Sequence, residues 1–165
     1  MHLNFQAPRN EISEFSENFN LPKLEELDLD SNRLVSWVQV LRLSKLPNLH
    51  TLHLNSNQID SIQMADTQAL SKLRRLFLSG NRVSDWASVS ALGCLPTLAE
   101  LSFKDNPLLK AESPETNRQI IICRLDRLHS LDKVQVTRVE KRGAAFDYLK
   151  RYGLEFLQSK SDIEG

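Results

Sequence analysis

One spacing constrains what this chain can fold into more than any other property. The pattern LxxLxLxxNxL occurs four times, as Leu24, Leu27, Leu29, Asn32, Leu34; as Leu49, Leu52, Leu54, Asn57, Ile59; as Leu73, Leu76, Leu78, Asn81, Val83; and as Leu98, Leu101, Phe103, Asn106, Leu108. The asparagines are 25, 24 and 25 residues apart. Self-similarity at that period is the signature of a stacked-coil architecture, in which no single coil buries its apolar face alone. The LxL alternation has the strand period, so the leucines point inward and the residues between them point outward. Each asparagine marks a turn, where its amide donates to and accepts from backbone groups that would otherwise be left unpaired. Asn32, Asn57, Asn81 and Asn106 therefore read as a structural ladder and not as a binding motif.

The expected fold is an α/β leucine-rich-repeat solenoid, with a parallel sheet on the concave face, helices on the convex face and a C-terminal cap. Residues 24–109 hold the four repeats. Residues 1–23 read as a degenerate or truncated repeat, because Phe5, Ala7, Asn10 and Ile12 fall in the same slots and Phe15 matches Trp37, Ile62 and Trp86. That reading suggests a fragment of a longer protein. The return segments show helical spacing: Val38, Leu41 and Leu46 before Pro47, and Val89, Leu92 and Leu95 before Pro96. Trp37 and Trp86 read as core under those helices, in preference to an aromatic binding patch. Residues 61–72 are more polar and give a weaker signal.

The rhythm changes at residue 110, and residues 110–156 read as the cap. Ser113 with Pro114 is a helix start, preferred over a phosphorylation site, and Ile121, Ile122 and Leu125 supply an apolar face. Leu128 and Leu131 give a last strand-like turn. Thr137 and Glu140 read as a capping box opening a final helix. Val139, Phe146 and Leu149 are expected on its inner face, Gly153 as its stop, and 157–165 as a frayed polar tail.

Composition narrows the function classes. Net charge is zero with 21 basic and 21 acidic residues, so nothing favours nucleic acid or an anionic membrane. The charge is uneven, with nine acids against five bases before residue 67 and twelve against sixteen after it. The two cysteines, Cys94 and Cys123, read as reduced core residues, with a disulfide as the lesser reading, and no metal or other cofactor is implied. No Gly-rich phosphate loop, nucleophile elbow or leader pattern appears, so the chain reads as a non-enzyme. Cytoplasm and a monomeric state are expected.

The ending carries a closer resemblance. Glu115-Thr116, Arg118, Ile121-Ile122, Leu128, Leu131, then Glu140-Lys141-Arg142, Ala144, Asp147-Tyr148-Leu149-Lys150, Gly153 and Glu155, with Ser84-Asp85-Trp86 ahead of Leu95-Pro96, resemble the tubulin-specific chaperone E (tubulin-folding cofactor E) and cofactor-E-like family. The likeness covers roughly residues 24–156. It implies a cytoskeleton-associated module that binds α-tubulin during folding or heterodimer dissociation. In that family the repeats lie between a CAP-Gly and a ubiquitin-like domain. With five glycines and no Gly-rich segment no CAP-Gly domain is expected here, and with the sequence ending at Gly165 no ubiquitin-like domain is expected either. The alternative is a regulatory or scaffold repeat protein of the phosphatase-1, axonemal dynein or spliceosomal type.

Candidate partner-binding residues lie beside the strand leucines. One outward column reads Asp28, His53, Phe77, Ser102; a second reads Asp30, Asn55, Ser79, Lys104; a third reads Glu26, Thr51, Arg75, Glu100. Phe77 is the leading candidate, because an outward aromatic on a sheet serves no evident folding purpose. Arg74 and Arg75 suit an acidic partner. Asp28 and Asp30, His53 and Lys104 complete the set. His53 has no metal-spaced partner.

Overall fold

The computed structural model describes residues 3–16, 20–64, 66 and 68–161. Among those residues the sheet has seven strands in chain order: β1 (Leu3–Gln6), β2 (Leu24–Asp28), β3 (Thr51–His53), β4 (Arg75–Phe77), β5 (Glu100–Ser102), β6 (Ser130–Leu131) and β7 (Val134–Gln135). The first six pair in parallel and β7 turns back antiparallel on β6. The expected parallel sheet thus gains a short closing hairpin.

The inward leucines build one continuous core. Leu52, Leu54, Leu73, Leu76 and Leu78 have no exposed surface, and burying each side chain of this size is worth about 1.5–3 kcal/mol. The asparagines stitch successive coils. Asn81 Nδ2 donates to Leu54 O at 2.9 Å and to Leu78 O at 3.0 Å, and its Oδ1 accepts from Ile59 N at 3.1 Å. Asn32, Asn57 and Asn106 repeat this arrangement. The residue before each asparagine has a positive φ: Ser31 57°, Ser56 55°, Gly80 69° and Asp105 56°. That left-handed step turns the chain out of the strand, and glycine meets it without strain only at position 80.

The convex side is less helical than expected. α1 (Trp37–Leu41) passes into a 3-10 turn at Arg42–Lys45, and α2 spans Trp86–Leu92. Asp85 caps α2 by accepting from Ser88 N at 2.7 Å. Trp37 is buried while Trp86 is only partly so. Val38, expected to face inward, is 63% exposed. The inward register runs instead through Trp37, Val40, Leu43 and Leu46, a spacing of three that begins within α1 and that the 3-10 turn continues.

The cap consists of α3 (Pro114–Arg124), the β6–β7 hairpin and α4 (Arg138–Ser161). Ser113 caps α3 by accepting from Thr116 N at 3.1 Å. Thr137 caps α4 through its Oγ1, which accepts from Glu140 N at 3.1 Å. The Glu140 carboxylate does not close the box. It accepts from Arg118 Nε at 2.6 Å instead. Two further expectations are corrected. α4 runs through Gly153 to Ser161, since a glycine with free space around it lowers helix stability without ending the helix. Val139, Phe146 and Leu149 face solvent at 79%, 60% and 58% exposure, while Ala144 packs inward at 2%. Of the expected frayed tail, 157–161 is helical and 162–165 lies outside the described residues. Both cysteines are free. Cys94 is exposed and not in the core, and Cys123 is partly buried, which pushes its thiol pKa up.

Candidate protein-binding surface

The strand register decides which outward residues meet. Asp28 pairs with His53, His53 with Phe77, and Phe77 with Ser102. The column therefore exists as a row of cross-strand neighbours, at the ~4.8 Å strand spacing. At its centre the His53 and Phe77 rings stack, with centroids 4.4 Å apart and planes 6° from parallel. Neither ring is buried. The pair forms a flat aromatic plate on the concave face.

Polar groups fix the plate's edges. His53 Nε2 lies 3.0 Å from Glu26 Oε1. Asp30 accepts from Asn55 N at 2.7 Å and from Asn55 Nδ2 at 3.1 Å, and Asn55 Oδ1 accepts from Ser79 N at 2.9 Å. Asp28 Oδ1 accepts from Asp30 N at 2.9 Å. Asp28 and Asp30 are thus held in fixed poses by backbone amides. A shallow depression of about 450 Å³ opens beside the plate, between Asp30, Asn55, Phe77, Ser79 and Lys104. A second hollow of about 770 Å³ adjoins it and is lined by Glu25, Glu26, Thr51, Arg74, Arg75 and Glu100.

The predicted residues therefore divide into two groups. His53, Phe77, Asp30 and Lys104 share the first depression, while Arg74 and Arg75 line the second. Arg75 Nε donates to Thr51 Oγ1 at 2.9 Å, and both arginines are exposed. Asp28 continues the plate's column from His53 toward Gln6 of β1. Two positions read as outward are buried: Thr51 at 1% and Ser102 at 9%. Both are small side chains on a concave sheet, where long neighbours close over short ones. Glu26 beside His53 and Asn55 beside Asp30 take their places from the same register. Asp132 also escapes the repeat pattern: its Oδ1 accepts from Phe103 N at 2.8 Å, standing in for the backbone carbonyls that accept from the matching amides of Leu29, Leu54 and Leu78 in the earlier coils. Among the described residues no group of His, Cys, Asp or Glu has the geometry to hold a metal ion.

Comparison with known proteins adds the lineage. Residues 38–159 match a leucine-rich repeat family model. The chain belongs to that family. The leucine-rich-repeat chain is also 40% identical over 146 residues to tubulin-specific chaperone E of Danio rerio, covering 84% of the chain. It is 34% identical over 146 residues to the same protein of Xenopus laevis, covering 85%, and of Homo sapiens, covering 84%. The matched region spans 28% of the length of each of these relatives. In three dimensions the leucine-rich-repeat chain superposes on a chain of the crystal structure of the Drosophila melanogaster SNF/U2A' complex, with a TM-score of 0.75. That match covers 96% of this chain and 87% of the other at 22% identity, and so concerns the fold. No helix among the described residues is long and apolar enough to cross a membrane.

Proposed function

We propose that this chain is a non-catalytic protein-binding module whose concave face engages α-tubulin, in the manner of the repeat region of tubulin-specific chaperone E. The observation that carries this reading is 34–40% identity to that protein across 84–85% of the chain. The concave surface supplies a physical means. The His53–Phe77 plate offers a desolvated seat for an apolar or aromatic side chain. The first coil presents Glu26, Asp28 and Asp30, and Arg74 and Arg75 share a hollow with Glu25, Glu26 and Glu100, so a partner is oriented by charges of both signs beside the plate. A sheet of this width has room for a standard interface of about 800 Å² per partner. The reading places the module in the cytoplasm with the cytoskeleton, as a monomer.

The test is binding to purified αβ-tubulin, and separately to released α-tubulin. Phe77→Ala is expected to weaken binding by about 2 kcal/mol, roughly thirtyfold, while leaving thermal unfolding nearly unchanged. Arg75→Glu is expected to weaken it further at low salt than at high salt. Absence of binding by the wild type, or binding indifferent to both changes, would reject the concave-face reading.

A further inference from the structure

We propose that the outward face of α4 is a second docking surface, built for an acidic amphipathic helix of another protein. It is separate from the concave sheet and does not depend on what binds there.

Over residues 138–153, α4 sorts its side chains by face. Ala144 and Tyr148 turn toward α3, and the two acids of this stretch go with them: Glu140 is bound by Arg118 at 2.6 Å, and Asp147 accepts from Gln119 Nε2 at 3.3 Å. The opposite face carries Val139, Phe146 and Leu149, all more than half exposed. Interleaved with them are Arg138, Arg142 and Lys150, also exposed. Among the described residues none of these three cations forms a salt bridge. At 100° per residue, Arg138, Arg142, Phe146, Val139, Leu149 and Lys150 all fall within one arc of the helix. That arc holds no acidic side chain.

A folding role does not account for this face. Exposed apolar side chains occur singly on any surface, but three along a single stripe with a one-signed basic border mark a contact. The border selects the partner: uncompensated cations beside apolar anchors suit a segment with its own apolar stripe and carboxylates on its flanks. Gly143 favours a helix over a flat surface. The space at its Cα is open, so a partner helix can approach the backbone closely there, one turn from Val139 and one from Phe146. An anionic bilayer fits less well. Interfacial helices use a broad apolar face, whereas this one is a single narrow stripe of three side chains, and Lys150 Nζ stands 4.4 Å over the Phe146 ring.

The test uses the full chain and a synthetic helical peptide with leucines at i, i+3, i+4 and i+7 and glutamates flanking them, beside a scrambled peptide of equal composition. Fluorescence anisotropy is expected to show saturable binding of the patterned peptide that weakens with salt. Phe146→Glu is expected to reduce it at least about tenfold, and Arg142→Glu to reduce it with a shallower salt dependence; Phe77→Ala should leave it unchanged. All three positions are solvent-exposed or partly so, and unchanged circular dichroism melts keep the variants comparable. Equal binding of the scrambled peptide, indifference to Phe146→Glu, or no saturable binding would overturn the proposal. Phe146-dependent binding to phosphatidylserine vesicles without peptide binding would overturn it in favour of a membrane contact.

Discussion

At the scale of single residues, the asparagine ladder concentrates the energetic consequences. Replacing Asn81 by alanine strips partners from two carbonyls and one amide at a buried site. Unsatisfied buried backbone groups cost about 1–3 kcal/mol each, partly recovered by relaxation. Asn81→Ala is therefore expected to destabilise the fold by about 2–4 kcal/mol in urea denaturation. Asn81→Asp should do no better, because it sets a carboxylate against two carbonyl oxygens. The role of these residues was legible in the sequence, since an amide repeated every 24 or 25 residues has one physical use. The left-handed step before each asparagine was not, because serine, glycine and aspartate share no side-chain property that announces a positive φ. The stack of His53 on Phe77 was half legible: the column put them side by side, but ring orientation is decided by Glu26 holding the imidazole.

At the scale of elements, the cap departs most from what periodicity suggests. Val139, Phe146 and Leu149 have helical spacing, and so do Glu140, Ala144 and Tyr148; spacing alone does not say which stripe is inside. The answer lies in partners distant in sequence. Arg118 bonds Glu140, and Arg124 reaches Ser90 Oγ at 2.6 Å while its guanidinium lies 5.4 Å from the Trp86 ring and 5.7 Å from that of Tyr148. Arg124 thereby bolts cap to solenoid, and it does so from the face that carries Tyr148. The hydrogen bond from Arg118 also lowers the Glu140 pKa below its ordinary 4.5. A depressed carboxylate pKa adds stability that is present above the unfolded value and lost as pH falls through the folded one. The stability gap between wild type and Glu140→Gln is thus expected to be full near neutrality and to close on acidification below about pH 4, as followed by denaturant titrations across pH. Gly143 gives the opposite kind of prediction. It sits inside a helix with open space at its Cα, so Gly143→Ala should stabilise the chain by about 0.5–1 kcal/mol, seen as a higher melting temperature.

At the scale of the whole molecule, each coil is held by its neighbours in the stack, and the two ends differ. The cap end is closed by α3, α4 and the β6–β7 hairpin, whereas among the described residues β1 pairs with β2 alone, with Leu3 and Phe5 at 41% and 50% exposure. Phe5 stands in register with Leu27, yet Leu27 is 5% exposed because coils lie on both sides of it. Amide hydrogen exchange is expected to follow this gradient, fastest in Leu3–Gln6 and slowest in β3 and β4. Equal protection across the sheet would mean that the stack opens all at once. The solenoid as a whole was legible from four matching motifs, whereas the antiparallel hairpin rests on a few residues too short to carry a period.

The parallel register has a consequence for how such a surface changes over generations. Inward leucines and turn asparagines fix every backbone position, so Asp28, His53 and Phe77 occupy their places whatever their own identity. A mutation at His53 or Phe77 rewrites one position of the surface and leaves the displaying scaffold intact, whereas Asp30 and Asn55 also hold backbone amides of the next coil. Lineages that inherit this stack inherit a blank panel with fixed pitch, on which recognition drifts or adapts one coil at a time while the fold stays under separate selection.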